Sequence, residues 1–497
     1  MARVEEQVMA IPTLLVTLAL GLAPALSLAQ DRPSESDLFG APPAEAKPAE
    51  AQPAEPARPA PADDAEARLR ESAGEKEDPL KLGGVLYLRS NVFSREGAPP
   101  ADWAFTAPSI TDVYLDVRPN DRVRGFALGR LLFDPTASST ATSVLPGAAG
   151  AQNPRTVLDQ LWARFDIERT AFVTAGRQHV KWGVGRFWNP TDYLHAVRRD
   201  PLALFDDRTG TTMLRVHVPW ERRGWNFYAV AIAEPLVTQA ASPLVPAPTS
   251  PPAASNTLGA IGGGGRAELV LGGWELGVDA VAQRGIRPRF GIDLSGALGE
   301  VDLRGELGLR TSSDVPLFAR VAGVPDAAPL PLRYAVREPP GIRPAAVLGA
   351  EWSRKYSDED AFTVGAEYFY NANGYDDARV YPLLLAANAF TPFYLGRHYA
   401  ALYGVLPRPG SWNLHTFTLS VLANLSDRSA VARLDWTVTL LTYLTLETYL
   451  QSHLGVNGGE LRLGIDLPAQ ALAGATIPAV LVGAPLLDAG LALRLAL

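Results

Sequence analysis

Between Arg289 and Arg310 the sequence reads RFGIDLSGALGEVDLRGELGLR, and its side chains alternate in kind. Phe290, Ile292, Leu294, Gly296 and Leu298 fall on one face, with Arg289, Gly291, Asp293, Ser295 and Ala297 on the other. After Gly299-Glu300 the pattern resumes: Val301, Leu303, Gly305, Leu307 and Leu309 oppose Asp302, Arg304, Glu306, Gly308 and Arg310. A period of two is a β-strand, and two such runs joined by a Gly-containing turn are a hairpin. Each arm is about ten residues, the length a tilted strand needs to cross a hydrocarbon layer. One face is apolar and the other charged or small, which suits a wall between lipid and water.

The pattern begins at Leu82 and recurs to the end of the chain. Hairpins turn at Pro119-Asn120-Asp121, Glu168-Arg169-Thr170, Glu221 to Gly224, Gly272-Gly273 and Asp358 to Asp360. Late segments include ELRLGIDLP (460–468) and the terminal LDAGLALRLAL. Long Pro-, Ala- and Gly-rich stretches separate the hairpins at 134–156, 183–210, 234–264, 312–343, 372–411 and 469–487. Short turns alternating with long loops predict an all-β fold: a transmembrane, antiparallel, up-and-down β-barrel of about 18 strands, with 16 the alternative. An even number returns both termini to one side. Trp162, Trp182, Trp188, Trp220, Trp225, Trp274, Trp352, Tyr368, Tyr370 and Trp412 lie near inferred strand ends, where a membrane–water boundary would favour them.

Composition agrees with a wall wetted on one side. The 497 residues are 47% hydrophobic and 20% charged, with mean hydropathy near zero. Beyond the N-terminus no run is long and apolar enough for a membrane helix. Residues 1–29 read as a secretory signal, with a small-x-small site at Ser27-Leu28-Ala29 and a mature chain from about Gln30. Residues 30–80 form an Ala/Pro/Glu-rich linker too poor in large apolar side chains to fold, a spacer or a tether to a periplasmic partner. The acidic excess sits there, with 13 acids against 6 bases in 31–80, while residues 81–497 balance. The barrel is assigned to 81–497. No basic excess points to nucleic acid.

Gly176 to Asp192, GRQHVKWGVGRFWNPTD, is the most distinctive run. Alternation extended through it places Arg177, His179 and Lys181 on a lumenal face, with Gln178, Val180 and Trp182 toward lipid. Such a ladder would attract anions, unless its bases pair with acids such as Asp166, Glu268 or Asp279. Gly176-Arg177-Gln178, Trp182-Gly183 and Asn189-Pro190-Thr191-Asp192 resemble a run found in outer-membrane porin-like families. Asp488-x-Gly490-x-x-Leu493-x-Leu495 likewise resembles the signal read by the barrel-assembly machinery. The resemblance implies a barrel in the outer membrane of a Gram-negative bacterium, surrounded by its lipid, that passes small hydrophilic solutes passively. The ladder, where its bases stay unpaired, would add a preference for anions. A non-conducting barrel serving as a surface or export-machinery partner is the alternative.

The candidate pore-lining residues are Arg177, His179, Lys181, Arg186, Arg215, His217, Arg304, Glu306, Arg433 and Asp435. Glu351 and Glu367 are among the other inferred inward positions. The stretch 183–210 is the candidate constriction, carrying Arg198, Arg199, Asp206, Asp207 and Arg208. With no cysteine, six scattered histidines and no hydrolase, metalloprotease or nucleotide-binding motif, the sequence predicts no enzyme, cofactor or metal.

Overall fold

The computed structural model describes residues 79–137, 153–206, 208–236, 257–311, 313, 315–338, 340–472, 475–477 and 479–497. The expected signal, most of the expected linker and Asp207 lie outside them. No helix among the described residues is long and apolar enough to cross a membrane.

Eighteen strands make the wall. They are β1 (Leu80–Arg95), β2 (Ser109–Asn120), β3 (Val123–Phe133), β4 (Arg155–Ile167), β5 (Ala171–Gln178) and β6 (Thr211–Trp220). Next come β7 (Trp225–Ile232), β8 (Gly262–Leu271), β9 (Trp274–Gln283), β10 (Ile286–Leu298), β11 (Val301–Arg310) and β12 (Arg343–Lys355). The last six are β13 (Ala361–Asn371), β14 (His398–Pro407), β15 (His415–Asn424), β16 (Ser429–Leu441), β17 (Leu444–Gly455) and β18 (Pro485–Ala496). Each pairs antiparallel with its neighbours in sequence. β1 then closes the ring, pairing with β2 from Leu80↔Val117 to Tyr87↔Ile110 and with β18 from Val85↔Ala496 to Phe93↔Asp488. Closure leaves no unpaired edge in the wall, the condition for strands to cross lipid.

The burial pattern is the reverse of a water-soluble protein's. Phe290, Ile292, Leu294 and Leu298 on β10 are exposed, as are Leu348, Leu402, Leu419, Leu434 and Leu450 around the ring. Charged groups are buried instead: Arg130 bonds Asp112 and Asp159, and Arg266 bonds Asp279 and Asp293. A closed ring of exposed aliphatic side chains around buried ion pairs is satisfied by acyl chains outside and a polar interior. No second protein layer covers the outer face among the described residues.

Tight turns gather at the end that also holds the first described residues and Leu497, whose amide and carbonyl pair with those of Gly84. At Gly272-Gly273 both φ angles are positive (60° and 90°), the conformation of a two-residue hairpin turn that matches strand twist. Trp220, Trp225, Trp274, Trp352 and Trp412 girdle this end. The opposite end carries the long connections, 179–210 and 372–397 among them.

Three expectations change. ELRLGIDLP is not a wall strand: Glu460–Arg462 is a 3-10 turn, and Ile465–Leu467 pairs with Val480–Val482 inside the connection 456–484. The expected loop 372–411 is interrupted by β14. Trp162, Trp182 and Trp188 are not at a lipid boundary. Trp162 stacks on Phe126 within the lumen, and the other two are buried in the interior clusters described next.

Candidate functional site

The connection 179–210 leaves β5 and folds into the barrel. Its first contact is on β4, where the His179 ring lies 2.8 Å from Asp159 and Gly210 N–H donates to the same carboxylate. Trp182, Tyr193 and Leu194 then pack on inward Met213, Val230, Ile232 and Val281. Phe187 and Trp188 pack on inward Val347, Phe369, Tyr399, Tyr403 and Val405, on β12 to β14. On its return, Phe205 meets Tyr87 and Arg130 on the far wall, at 5.7 and 5.0 Å. The segment therefore touches the wall on both sides of the lumen. Burying side chains of this size stabilises by about 1.5–3 kcal/mol each.

Apolar packing does not satisfy the backbone of an irregular segment, whose N–H groups need acceptors. Two wall carboxylates supply them. Glu306 on β11 accepts from Val184 (3.0 Å), Gly185 (3.1 Å) and Thr191 (2.7 Å), and from the Thr191 hydroxyl (2.8 Å). Glu367 on β13 accepts from the amides of Arg186 (2.7 Å), Phe187 (3.0 Å) and Trp188 (3.0 Å). Both are 3% exposed. Runs of consecutive amides converging on one anion form a nest around each carboxylate.

The distinctive motif is the part that fits this cradle. A Cβ at Gly183, where φ is +93°, would lie 2.6 Å from the Glu306 carboxylate, and one at Gly185 would overlap the Trp188 carbonyl. Asn189-Pro190-Thr191-Asp192 is a β-turn closed by Asp192 N–H to Asn189 O, with proline at its second position. Arg310 donates to the Pro190 carbonyl (2.9 Å) and the Tyr193 hydroxyl to that of Phe290 (2.9 Å). Asp192 contacts His195 (2.8 Å) and Arg208 (2.9 Å). Burial pushes the Asp192 carboxyl up, but His195 and Arg208 outweigh it and hold it well below the usual carboxylate range.

The candidate pore-lining residues divide by wall. Arg186 stacks over Tyr403 at 4.0 Å and lies 3.7 Å from Glu351, to which Arg304 also bonds at 2.7 Å. This places Arg186, Arg304 and Glu306 on the β11–β14 side. Arg433 and Asp435 pair at 2.8 Å on β16, with Arg433 over Tyr449. Arg215 and His217 face inward on β6, His217 bonded to Asn226 (2.9 Å) and stacked on Tyr228. Lys181 is exposed on the connection. Arg198 lies over Tyr394, whose hydroxyl donates to Arg199 O, and Arg208 bonds Asp206 at 2.7 Å.

Arg177 does not belong to a lumenal ladder. It pairs in register with exposed Leu161, so it faces outward, and it bonds Glu234 at 2.6 Å. Gln178 is the inward, buried neighbour. The suggested acids serve other bases as well: Asp166 pairs with Arg122, and Glu268 and Asp279 with Arg266. Glu460 and Asp159 carry no sequence signal that marks them as anchors, yet both hold irregular segments to the barrel. Glu460 accepts from the amides of Tyr394 and Leu395 and from the Tyr399 hydroxyl, tying 372–397 to 456–484; burial pushes its carboxyl up to about 7.

No family model matches the sequence, and no curated protein matches it. Among solved structures the chain is similar to Acinetobacter baumannii OccAB1 (11% identity, 84% of this chain and 96% of that one, TM-score 0.47). It is similar to Pseudomonas aeruginosa OpdK, solved with vanillate (11% identity, 84% and 98%, TM-score 0.46). A triple mutant of the Rhodopseudomonas blastica porin gives 11% identity, 84% and 100%, and a TM-score of 0.39.

Proposed function

We propose that this chain is a loop-constricted diffusion channel of the Gram-negative outer membrane, passing small hydrophilic solutes and favouring anions, and that it is not an enzyme. The observation that carries the reading is the connection 179–210, held inside a closed barrel by Glu306 and Glu367 with Arg186, Arg198, Arg199 and Arg208 along it. Arg208 is paired with Asp192 and Asp206 and Arg186 lies beside Glu351, and four guanidinium groups carried on one lumen-crossing segment bias the constriction toward negative solutes. A signal at 1–29, a linker at 30–80 that meets a periplasmic partner and delivery by the barrel-assembly machinery complete the reading. Purified protein in planar bilayers should conduct in discrete steps. The reversal potential in a KCl gradient should indicate anion preference, and Arg186→Glu with Arg198→Glu should move it toward cations. Absence of conductance from folded protein would overturn the channel.

One observation favours a second reading, a plugged barrel acting as a surface or export partner. Phe187, Trp188, Phe393 and Leu461, from three different connections, join one apolar cluster against the wall. If that is the function, deleting 31–80 abolishes complex formation, and the intact chain does not conduct.

A further inference from the structure

The loop end contains a cavity of about 330 Å³ that none of the lumen-crossing residues line. It lies between the connections 311–342 and 372–397. These fold against each other as a small unit: Phe318–Arg320 pairs with Tyr334–Val336, and a short helix α1 (Tyr381–Ala386) buries Tyr381, Leu383 and Leu384 against Phe318, Leu330 and Tyr334. The cavity thus has a packed floor rather than two independent loop tips. Its volume is at the small end of the range for small-molecule sites.

Its lining has two chemistries. Phe318, Tyr334, Tyr375 and Val380 provide an apolar wall, and Arg320, Arg337, Arg343 and Arg397 provide guanidinium groups. The acids among the lining are already engaged: Asp376 pairs with Arg397 at 3.0 Å and Asp377 with Arg379 at 2.8 Å. Arg320 is taken by Asp326. Arg343 donates only to neutral oxygens, of Asn373 and Ala372, and the Arg337 side chain has no hydrogen-bond or ion-pair partner among the described residues. Two guanidinium groups on one cavity therefore lack a compensating acid there. The Arg397 Nε is buried without a hydrogen-bond partner.

We propose that this cavity binds a small organic anion, an oxyanion group carried on an apolar body, at the loop end of the barrel and apart from the lumen. A planar guanidinium fork matches the oxygens of a carboxylate, sulfonate or phosphate monoester, and the aromatic wall takes the remainder of the molecule. An inorganic anion meets only half of this lining, and a neutral aromatic only the other half. The proposal does not rest on conduction.

The test is isothermal titration of the full chain in detergent micelles with benzenesulfonate, benzyl alcohol and inorganic phosphate. Benzenesulfonate should bind at one site per chain, and the other two should bind at least about tenfold more weakly. Arg337→Gln should weaken benzenesulfonate by about tenfold or more, and Arg337→Lys should recover part of the loss, since charge returns without the fork. Heat-modifiable gel mobility confirms that each variant retains its barrel. Absence of benzenesulfonate binding, equal binding of inorganic phosphate, or unchanged binding in Arg337→Gln overturns the proposal. Loss of binding in Arg186→Gln but not in Arg337→Gln assigns the anion to the lumen and overturns it too. Bilayer conductance, measured separately, reports on the channel reading alone.

Discussion

Replacing Glu367 by alanine removes the shared acceptor of three consecutive amides, those of Arg186, Phe187 and Trp188 at 2.7, 3.0 and 3.0 Å. The carboxylate is 3% exposed and Trp188 wholly buried, so water does not reach these donors while the segment stays docked. A buried donor left without an acceptor costs about 1–3 kcal/mol. Three of them give a floor of about 3 kcal/mol, or roughly a hundredfold in the equilibrium between docked and released loop. Glu367→Gln keeps an acceptor oxygen but loses the charge that roughly doubles such bonds, so its effect is smaller and of the same sign. Glu306 and its four donors remain in both variants, so release is confined to 186–188 and their neighbours. Hydrogen exchange followed by mass spectrometry on peptides covering 184–191 reads the change directly, with single-channel current noise as the functional counterpart. Exchange of that peptide in Glu367→Ala within about threefold of the parent would refute the reasoning. Those amides would then have other acceptors, or the segment would not be docked.

Leu348 is 66% exposed at the middle of β12, and Leu348→Arg should lower unfolding stability in lipid vesicles by about 2–4 kcal/mol, measured by urea titration; no change would remove the lipid from that face. Arg177→Glu should leave the reversal potential where it is, because the side chain faces outward beside Glu234, whereas Arg186→Glu should shift it. Asp192 gains His195 and Arg208 on folding, so its folded pKa lies below its unfolded one. It therefore stabilises the loop at pH above the ordinary carboxylate value, and that contribution is lost as pH falls through the folded pKa. Exchange protection of 192–208 should decline on acidification, and Asp192→Asn should flatten that dependence.

The wall was legible because a period of two admits only one consistent assignment of faces: a slip of one residue turns every apolar side chain inward. Arg289 to Arg310 folds as read, with Phe290 and Leu294 outside and Asp293 and Glu306 inside. The same rule explains the error at Arg177. β5 ends at Gln178, whereas alternation extended to Trp182 rests on the preference of tryptophan for a membrane boundary. Trp182 lies beyond the strand and is 3% exposed in the lumenal cluster with Tyr193 and Leu194, so it says nothing about parity within β5. Gly176, at φ +125°, already marks strand backbone departing from its regular course. In ELRLGIDLP the apparent alternation spans a 3-10 turn and three paired residues, and Glu460 is buried there as an acceptor of amides.

The anchors themselves were hidden for a different reason. By alternation alone, Glu306 and Glu367 cannot be told from Asp302 or Glu351, since any inward position tolerates a charge. What sets them apart is the demand of the segment they face. A long irregular connection that enters a barrel carries amides without secondary structure to pair them, and only the wall or trapped water can accept. A carboxylate serves better than a neutral acceptor, because its charge strengthens each bond and its two oxygens take several donors at once. Glu306 takes four donors and Glu367 three on the same wall where Arg186 and Arg304 meet Glu351, with Arg186 also over the ring of Tyr403. Fixing the loop and setting the charge of the constriction are thus one arrangement, and a variant at either glutamate should change both the position of the segment and the ion preference of the pore.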